Sequence, residues 1–358
     1  MDAIDAALLD FSDNKCALVS SHSHEIPAKS ITQLQTLTQS ETFNIKTLGT
    51  LDVELGKLFA DAAKQLLHNT QIDTNKVIAI GSHGQTVFHA PDSNPPFTLQ
   101  IGDPNTIAQL TGITTVADFR RRDIAAGGQG APLAPAFHNN VFRSTKKNRI
   151  ILNIGGIANI TVLSADKSQP VFGFDTGPGN CLLDSWIARH LGHRFDKDGT
   201  WAATGRINSK LLDTLLQDDY FSLATPKTTG REYFNLHWLD QHKPDDEPQN
   251  IQATLAQLTI ESIAHAIEDH APDTDEIYVC GGGAFNSLLM QGLNKRLSNK
   301  NVATTAELGT DPEWVEATAF AWLAKQTLEN RSGNISSVTG ANETVILGGI
   351  YPGKHGIK

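Results

Sequence analysis

Apolar positions recur along the chain with two different periods. The opening stretch DAIDAALLDFS, residues 2–12, reads as a strand. LDVELGKLFADAAKQLLHN, residues 51–69, sets Leu55, Leu58, Phe59, Ala62 and Leu66 at helical spacing, which predicts an amphipathic helix. KVIAIGSHGQ then supplies a short apolar run ending at Gly81. Strand, helix, strand and glycine turn in that order point to an α/β lobe. After Gly130 the pattern restarts. Ile150 and ILNIGGIANITVL (151–163) form two β-branched runs around Gly155-Gly156, the signal of a two-residue hairpin. PVFGFD (170–175) predicts a third strand ending at Asp175, and CLLDSWIARHL (181–191) a helix. IQATLAQLTIESIAHAIEDH (251–270) predicts a long helix, and EIYVCGGGAFNSLLMQGLNKRL (276–297) a strand, a triple-glycine turn and a helix. DPEWVEATAFAWLAKQTLE (311–329) predicts a last helix with Asp311 as N-cap and Pro312 at its first position. PDDEP (244–248) and SGNISSVTGAN (332–342) read as loops, and no repeat of fixed period occurs.

Length adds a second lobe to this picture, because 358 residues exceed what one hydrophobic core usually serves. Two lobes with a cleft between them are expected. Hydrophobic residues at 39% and charged residues at 19% describe an ordinary globular protein. A net charge of -10 argues against non-specific nucleic-acid binding, and Arg120, Arg121 and Arg122 make the only dense basic run. Cys16, Cys181 and Cys280 are widely spaced without a CxxC pair, so neither a disulfide framework nor a zinc ribbon is suggested. With no run near the roughly 20 apolar residues of a membrane span and no secretory pattern at the start, a cytoplasmic protein without membrane partners is expected.

Three strand-to-glycine turns carry the candidate chemistry: NIGGIAN (153–159), FDTGPGN (174–180) and CGGGAFN (280–286). Glycine lets backbone N–H groups approach an anion without a Cβ in the way, and a helix N-terminus adds partial positive charge. Each turn alone is weak evidence; three in one α/β lobe, two of them opening helices, point to a nucleotide. Asp175 is read either as a general base beside such a turn or as an Asx-turn or N-cap aspartate. Glu316 is read either as a second carboxylate facing the cleft or as a first-turn acid suited to the helix dipole. VADFRRRDIAAGGQGAPLAP (116–135) gathers Asp118, Arg120 and Asp123, groups that suit sugar hydroxyls, carboxylates or phosphates, or else a salt-bridged loop. SHGQTVFHAP (82–91) adds His83, Gln85 and His89 as hydrogen-bonding groups, and no metal-ligand motif is present. KTTGREYF (227–234) receives no chemical role.

Taken together, GSHGQTVFHAP, TLQIGDPNTIAQLTGITTVADFRRRDIAAGGQGAPLAPAFH, LNIGGIANIT, GFDTGPGN, DGTWAATG and KTTGRE, in this order, resemble the 1,6-anhydro-N-acetylmuramic acid kinase family across nearly the whole chain. The resemblance implies a two-lobed actin-like sugar-kinase ATPase fold, here with residues 1–125 plus about 335–358 as first lobe and 126–334 as second. It implies ATP and Mg²⁺ as cofactors, a sugar substrate and a homodimer. Gly155, Gly156 and Asn159 would belong to the phosphate hairpin, Gly177 and Gly179 to the turn beside Asp175, and Gly281, Gly282 and Asn286 to the adenosine side. Asp175 would activate water against C1 while the freed O6 takes the γ-phosphoryl group, and Glu316 would help hold water or sugar. His83, Gln85, Asp118, Arg120 and Asp123 would contact the sugar. The family opens with a strand and a loop of the form GxMSGTSLDG; here Met1-Asp2-Ala3 matches only the end of that loop. Asp2 is the remaining phosphate-loop candidate, and either an upstream start or a compromised kinase is expected. A sugar-binding protein without catalysis and an ATP-independent glycoside hydrolase are the rival readings.

Overall fold

The structure is a computed structural model and describes residues 3–12, 16–39, 42, 44–242 and 244–357. Asp2 lies outside the described residues. The chain is mixed α/β, as its periodicities require. Its strands are β1 (Ala3–Asp10), β2 (Ala17–Glu25), β3 (Ile80–Gly81), β4 (Gln85–Ala90), β5 (Phe97–Ile101), β6 (Thr115–Ala117), β7 (Arg149–Ile154), β8 (Ile157–Leu163), β9 (Phe172–Pro178), β10 (Glu276–Cys280), β11 (Asn301–Thr304) and β12 (Gly349–Tyr351). No helix among the described residues is long and apolar enough to cross a membrane. Two compact units form, Met1–Phe137 with Glu316–Lys358, and His138–Val315.

In the first unit β6 pairs with β3 in parallel and with β12 antiparallel, while β1–β2 and β4–β5 are separate antiparallel hairpins. The helix Ile45–Thr70 begins where the Asn44 side chain accepts the Lys46 N–H. It buries Leu51, Leu55, Ala62 and Leu66, the helical stripe visible in the sequence. Ile4 of β1 shares a cluster with Ala62, and Val87 and Ile101 share one with Leu51 and Leu55. The helix Val315–Leu328 starts four residues later than Asp311. Asp311 Oδ1 accepts the Glu313 N–H at 2.9 Å, so this aspartate closes the preceding turn rather than capping the helix. Phe320 packs on Phe119 with ring centroids 5.7 Å apart, and Trp322 on Phe137 at 6.2 Å. These rings tie both 126–137 and 316–334 to the first unit, so the boundaries fall at 137/138 and 315/316 where 125/126 and 334/335 were expected.

The second unit is one sheet in the order β11-β10-β7-β8-β9. β10 runs parallel to β7 and β11, and β7, β8 and β9 form an antiparallel meander. Ile150, Leu152, Ile154, Ile160, Ile277 and Val279 join Leu255, Leu258, Ile263 and Ile267 of the helix Pro248–His270 in one core. That helix is buried nearly all round because it packs on β9 and on three other helices. β9 runs three residues beyond the predicted strand end, through Thr176 and Gly177 to Pro178, so Asp175 sits inside an edge strand.

Candidate active site

In the second unit the three glycine turns meet at one end of the sheet. β7 turns through Gly155 and Gly156 into β8. Asn180 N–H donates to the Gly155 carbonyl at 2.8 Å, and the N–H groups of Gly179 and Cys181 donate to the Gly156 carbonyl at 2.9 and 3.0 Å. Asn180 Nδ2 adds bonds to the Ile154 and Gly155 carbonyls, each at 3.1 Å. On the same strand end, a Cβ at Gly281 would collide with Asn153 Oδ1, and one at Gly283 with Ile154. Glycine in the third turn is therefore required by close packing.

These contacts redistribute the expected phosphate surface. Gly177 and Gly179 are buried, and a Cβ at Gly179 would run into the Gly155 carbonyl. The first N–H groups of the helix Cys181–Leu191 already bond hairpin carbonyls, so Gly177 and Gly179 serve packing and do not bare backbone to an anion. Asn286 is also structural: its Oδ1 accepts the Leu288 and Leu289 N–H groups at 3.1 and 3.2 Å as N-cap of the helix Ser287–Arg296. Open backbone remains at Gly155, where an added Cβ would meet only ordinary contacts at 3.6 Å, and at Gly282, where nothing lies nearer than Asn180 Nδ2 at 3.9 Å.

Asp175 lies in register with Asn159, which lies in register with Asn153, which pairs with Cys280. Partners in register share a face of the sheet, so one polar row leads from the third glycine turn to the carboxylate. Asn153 was not singled out from the sequence, although it opens NIGGIAN. The outer edge of β9 is covered by the segment KTTGRE. Asp175 N–H donates to the Lys227 carbonyl at 3.1 Å, and Thr229 N–H donates to Asp175 Oδ2 at 3.0 Å. Tyr220 Oη donates to the Asp175 carbonyl at 2.6 Å. Asp175 Oδ1 has no hydrogen-bond partner among the described residues. Burial pushes the Asp175 carboxyl up to about 6; the Thr229 N–H opposes this and the Glu232 carboxylate adds to it. A carboxylate so raised, with one free oxygen, can take a proton near neutral pH.

The first unit holds a second polar cluster. The Arg120 guanidinium donates from Nε and Nη2 to His83 Nε2 at 3.0 and 2.9 Å, and from Nη1 to the Gly130 carbonyl at 2.9 Å. Two donors on Nε2 fix His83 as the Nδ1–H tautomer. Burial first, then the Arg120 charge, lower its pKa to about 3, so the ring is neutral. Glu316, in the first turn of the helix Val315–Leu328, feels the attraction of Arg120 and the repulsion of Asp5. The residue as a whole is exposed, yet desolvation of its carboxyl by the surrounding protein dominates and raises its pKa. Asp5, an exposed carboxylate on β1 that accepts the Ser23 hydroxyl at 3.0 Å, belongs to this cluster and was missed; an acid breaking an apolar strand was its only signal. Gln85 Nε2 donates to the Thr86 carbonyl at 3.0 Å, and Asp118 stands at φ 61 with Arg121 Nε 3.5 Å from its Oδ1. Desolvation raises the Asp118 carboxyl.

Asp123 is a different case. It is 0% exposed, and its oxygens accept from Gly130 N–H at 2.8 Å, Asn334 Nδ2 at 2.7 Å and Thr339 Oγ1 at 2.8 Å. A fully satisfied, sealed carboxylate has no face left for a sugar. Asp123 instead pins the glycine loop that presents the Gly130 carbonyl to Arg120.

With this geometry in hand, comparison with known proteins is direct. The family described as anhydro-N-acetylmuramic acid kinase matches residues 1–353. A curated protein of that name from Coxiella burnetii (strain Dugway 5J108-111) is 50% identical over 356 residues, covering 99% of this chain and 95% of its own. One from Shewanella loihica is 52% identical over 356 residues, covering 99% and 96%. A solved structure, the activator of the 2-hydroxyisocaproyl-CoA dehydratase from Clostridium difficile with bound ADPNP, is 11% identical, with a TM-score of 0.44 over 92% of this chain and 94% of that one. Identity of one residue in two along essentially the full length, on both units, shows that the chain belongs to the anhydro-N-acetylmuramic acid kinase family.

Proposed function

We propose that this protein is an ATP-dependent kinase that hydrolytically opens 1,6-anhydro-N-acetylmuramic acid and phosphorylates O6, releasing N-acetylmuramate 6-phosphate and ADP in cell-wall recycling. The observation that carries the reading is Asp175: a carboxylate raised to about 6, one oxygen held by a backbone N–H, beside converging glycine turns in a chain of this family. The scaffold is taken as the actin-like sugar-kinase type. Asp175 acts as base toward water attacking C1, in the manner of an inverting glycosidase. The proton of that water passes to Asp175 as the C1–O6 bond breaks, and O6 captures the γ-phosphoryl group of ATP.

Gly155 and Gly156 are assigned to the phosphates and Gly281 and Gly282 to the adenosine side, with Asn153 and Asn159 on the polar row between turn and base. Glu316 orients the water or sugar, and the neutral His83, Arg120, Gln85 and Asp118 bind sugar hydroxyls and the lactyl carboxylate. No group of three or more His, Cys, Asp and Glu fit to hold a metal ion occurs among the described residues. Mg²⁺ would arrive on the nucleotide, its ordinary carrier, and neutralise phosphate charge there. A cytoplasmic homodimer completes the reading.

The test is incubation of the full chain with the anhydro sugar, ATP and Mg²⁺ in H₂¹⁸O. Stoichiometric ADP and a sugar phosphate carrying ¹⁸O at C1 and none in the phosphate are expected. Ring opening without ADP release would replace the kinase by a hydrolase, and tight sugar binding without turnover would replace it by a binding protein.

A further inference from the structure

KTTGRE, the one motif left without a role by the sequence, reaches both halves of the proposed chemistry. Its Thr229 N–H holds Asp175 Oδ2, and two residues on, the Arg231 guanidinium lies against the hairpin turn. A Cβ added to Gly156 would stand 2.7 Å from Arg231 Nε and 2.9 Å from Nη2, so only glycine lets the guanidinium settle there. Arg149, Arg189 and Arg296 of the same unit are engaged with carboxylates at 2.8, 2.7 and 2.8 Å, whereas Arg231 makes no ion pair among the described residues. Its backbone is held on both sides: Lys227 Nζ donates to the Tyr220 and Phe221 carbonyls at 2.9 and 3.0 Å, and the Tyr233 and Phe234 N–H groups donate to the Gly230 carbonyl at 3.1 Å. Phe234, at 0% exposure, anchors the end of the loop in the core. The Thr229 hydroxyl is buried without a hydrogen-bond partner, a donor that an anion or water at this spot would satisfy.

We propose that Arg231 is the cation that meets the transferred phosphoryl group, clamping it against the Gly155–Gly156 turn while the same loop orients Asp175. The inference rests on the kinase reading above. As the bond from γ-phosphorus to the ADP oxygen breaks and that to sugar O6 forms, negative charge spreads over the phosphoryl oxygens. The planar fork of Arg231 takes two of them and exchanges no proton, while the proton released by water goes to Asp175. Tying both groups to one short loop sets the water attack and the phosphoryl capture in a single geometry.

The experiment compares wild type, Arg231→Ala and Arg231→Lys by calorimetry with ADP and with ADP plus aluminium fluoride and the anhydro sugar, alongside single-turnover rates. Arg231→Ala should leave ADP affinity within about 3-fold, lose about 100-fold or more for the fluoride complex, and slow phosphoryl transfer about 10³-fold, the scale of an arginine supplied in cis. Arg231→Lys should recover only part of the loss, and added guanidinium should raise the Arg231→Ala rate at least about 10-fold. Fluoride-complex affinity equal to wild type in Arg231→Ala, or loss of ADP and fluoride-complex binding in equal measure, overturns the proposal. Wild-type protein that binds the fluoride complex but makes no sugar phosphate overturns the kinase reading, and the Arg231 proposal with it.

Discussion

Asp175→Asn should slow turnover sharply and stabilise the fold at once, and the size of the second effect follows from the structure. The carboxyl is raised from 3.8 to about 6 in the folded chain, so ionising it there costs about 3 kcal/mol more than in the unfolded chain. The folded state binds the proton more tightly. The contribution of this one group to stability is therefore fully present below pH 3.8 and is lost as pH rises through about 6, with the full penalty present at pH 7 and above. Asparagine is isosteric, keeps an oxygen for the Thr229 N–H, and carries no charge to desolvate. At pH 8 the variant should gain up to about 3 kcal/mol, which for a unit of this size is of the order of 5–10 °C in Tm. At pH 4 the gain should shrink to about 0.5 kcal/mol. Urea denaturation at pH 4, 6 and 8 reads the stability, and coupled ADP release reads the rate, expected to drop at least ~100-fold. In the wild type kcat/KM should fall about tenfold per pH unit below about 6. A variant no more stable than wild type at pH 8 would refute the desolvated carboxylate, and one that turns over within tenfold of it would refute its role as base.

Three further outcomes test the surrounding geometry. Gly179→Ala drives a Cβ into backbone, the Gly155 carbonyl on one side and Ala158 N at 3.2 Å on the other, and should cost at least about 2 kcal/mol by chemical denaturation; a change under about 0.5 kcal/mol would mean the turn is loose. Asp123→Asn turns an acceptor into a donor facing N–H or O–H donors and should destabilise by about 3 kcal/mol, whereas a KM effect at full stability would return Asp123 to the substrate. His83 should stay neutral at pH 5 in a nitrogen-resolved NMR titration; because its folded pKa is lowered, it favours unfolding as pH falls below 6.5, and a midpoint near 6.5 would show that Arg120 does not hold it.

What could be read from the sequence was local, and what could not be read was long-range. The helix Cys181–Leu191 and the hairpin at Gly155–Gly156 follow from periodicity and glycine alone, and both formed where expected. Asp175 stood out because its glycines are its neighbours in sequence. Thr229, which holds it, is 54 residues away, and nothing in KTTGRE itself points to that contact. Asp123 was misread for the same reason. A charged residue in a polar segment is usually solvated, but its partners Asn334 and Thr339 lie 211 and 216 residues on and return to seal it. Asn286 erred in the opposite direction: an asparagine followed by SLLMQGLNKR is a local N-cap signal, and proximity to CGGG drew attention away from it.

The placement of Asp175 on an edge strand resolves an apparent conflict between rigidity and access. A residue in a central strand has both backbone edges paired and its side chain fixed, but has a neighbouring strand on either side. An edge strand opens one side and leaves its N–H groups without acceptors. Here KTTGRE supplies those groups from outside the sheet, taking the Asp175 N–H on Lys227 and giving back the Thr229 N–H to Oδ2. The strand is thus paired on its outer edge by a loop, and a loop, unlike a strand, is free to carry Arg231 and Glu232 immediately after the contact. Burial raises the carboxyl, the Thr229 N–H opposes that rise and Glu232 adds to it, so one six-residue segment both orients the base and adjusts the shift that burial sets. An extra strand in the same place would satisfy the backbone equally well and supply neither charge.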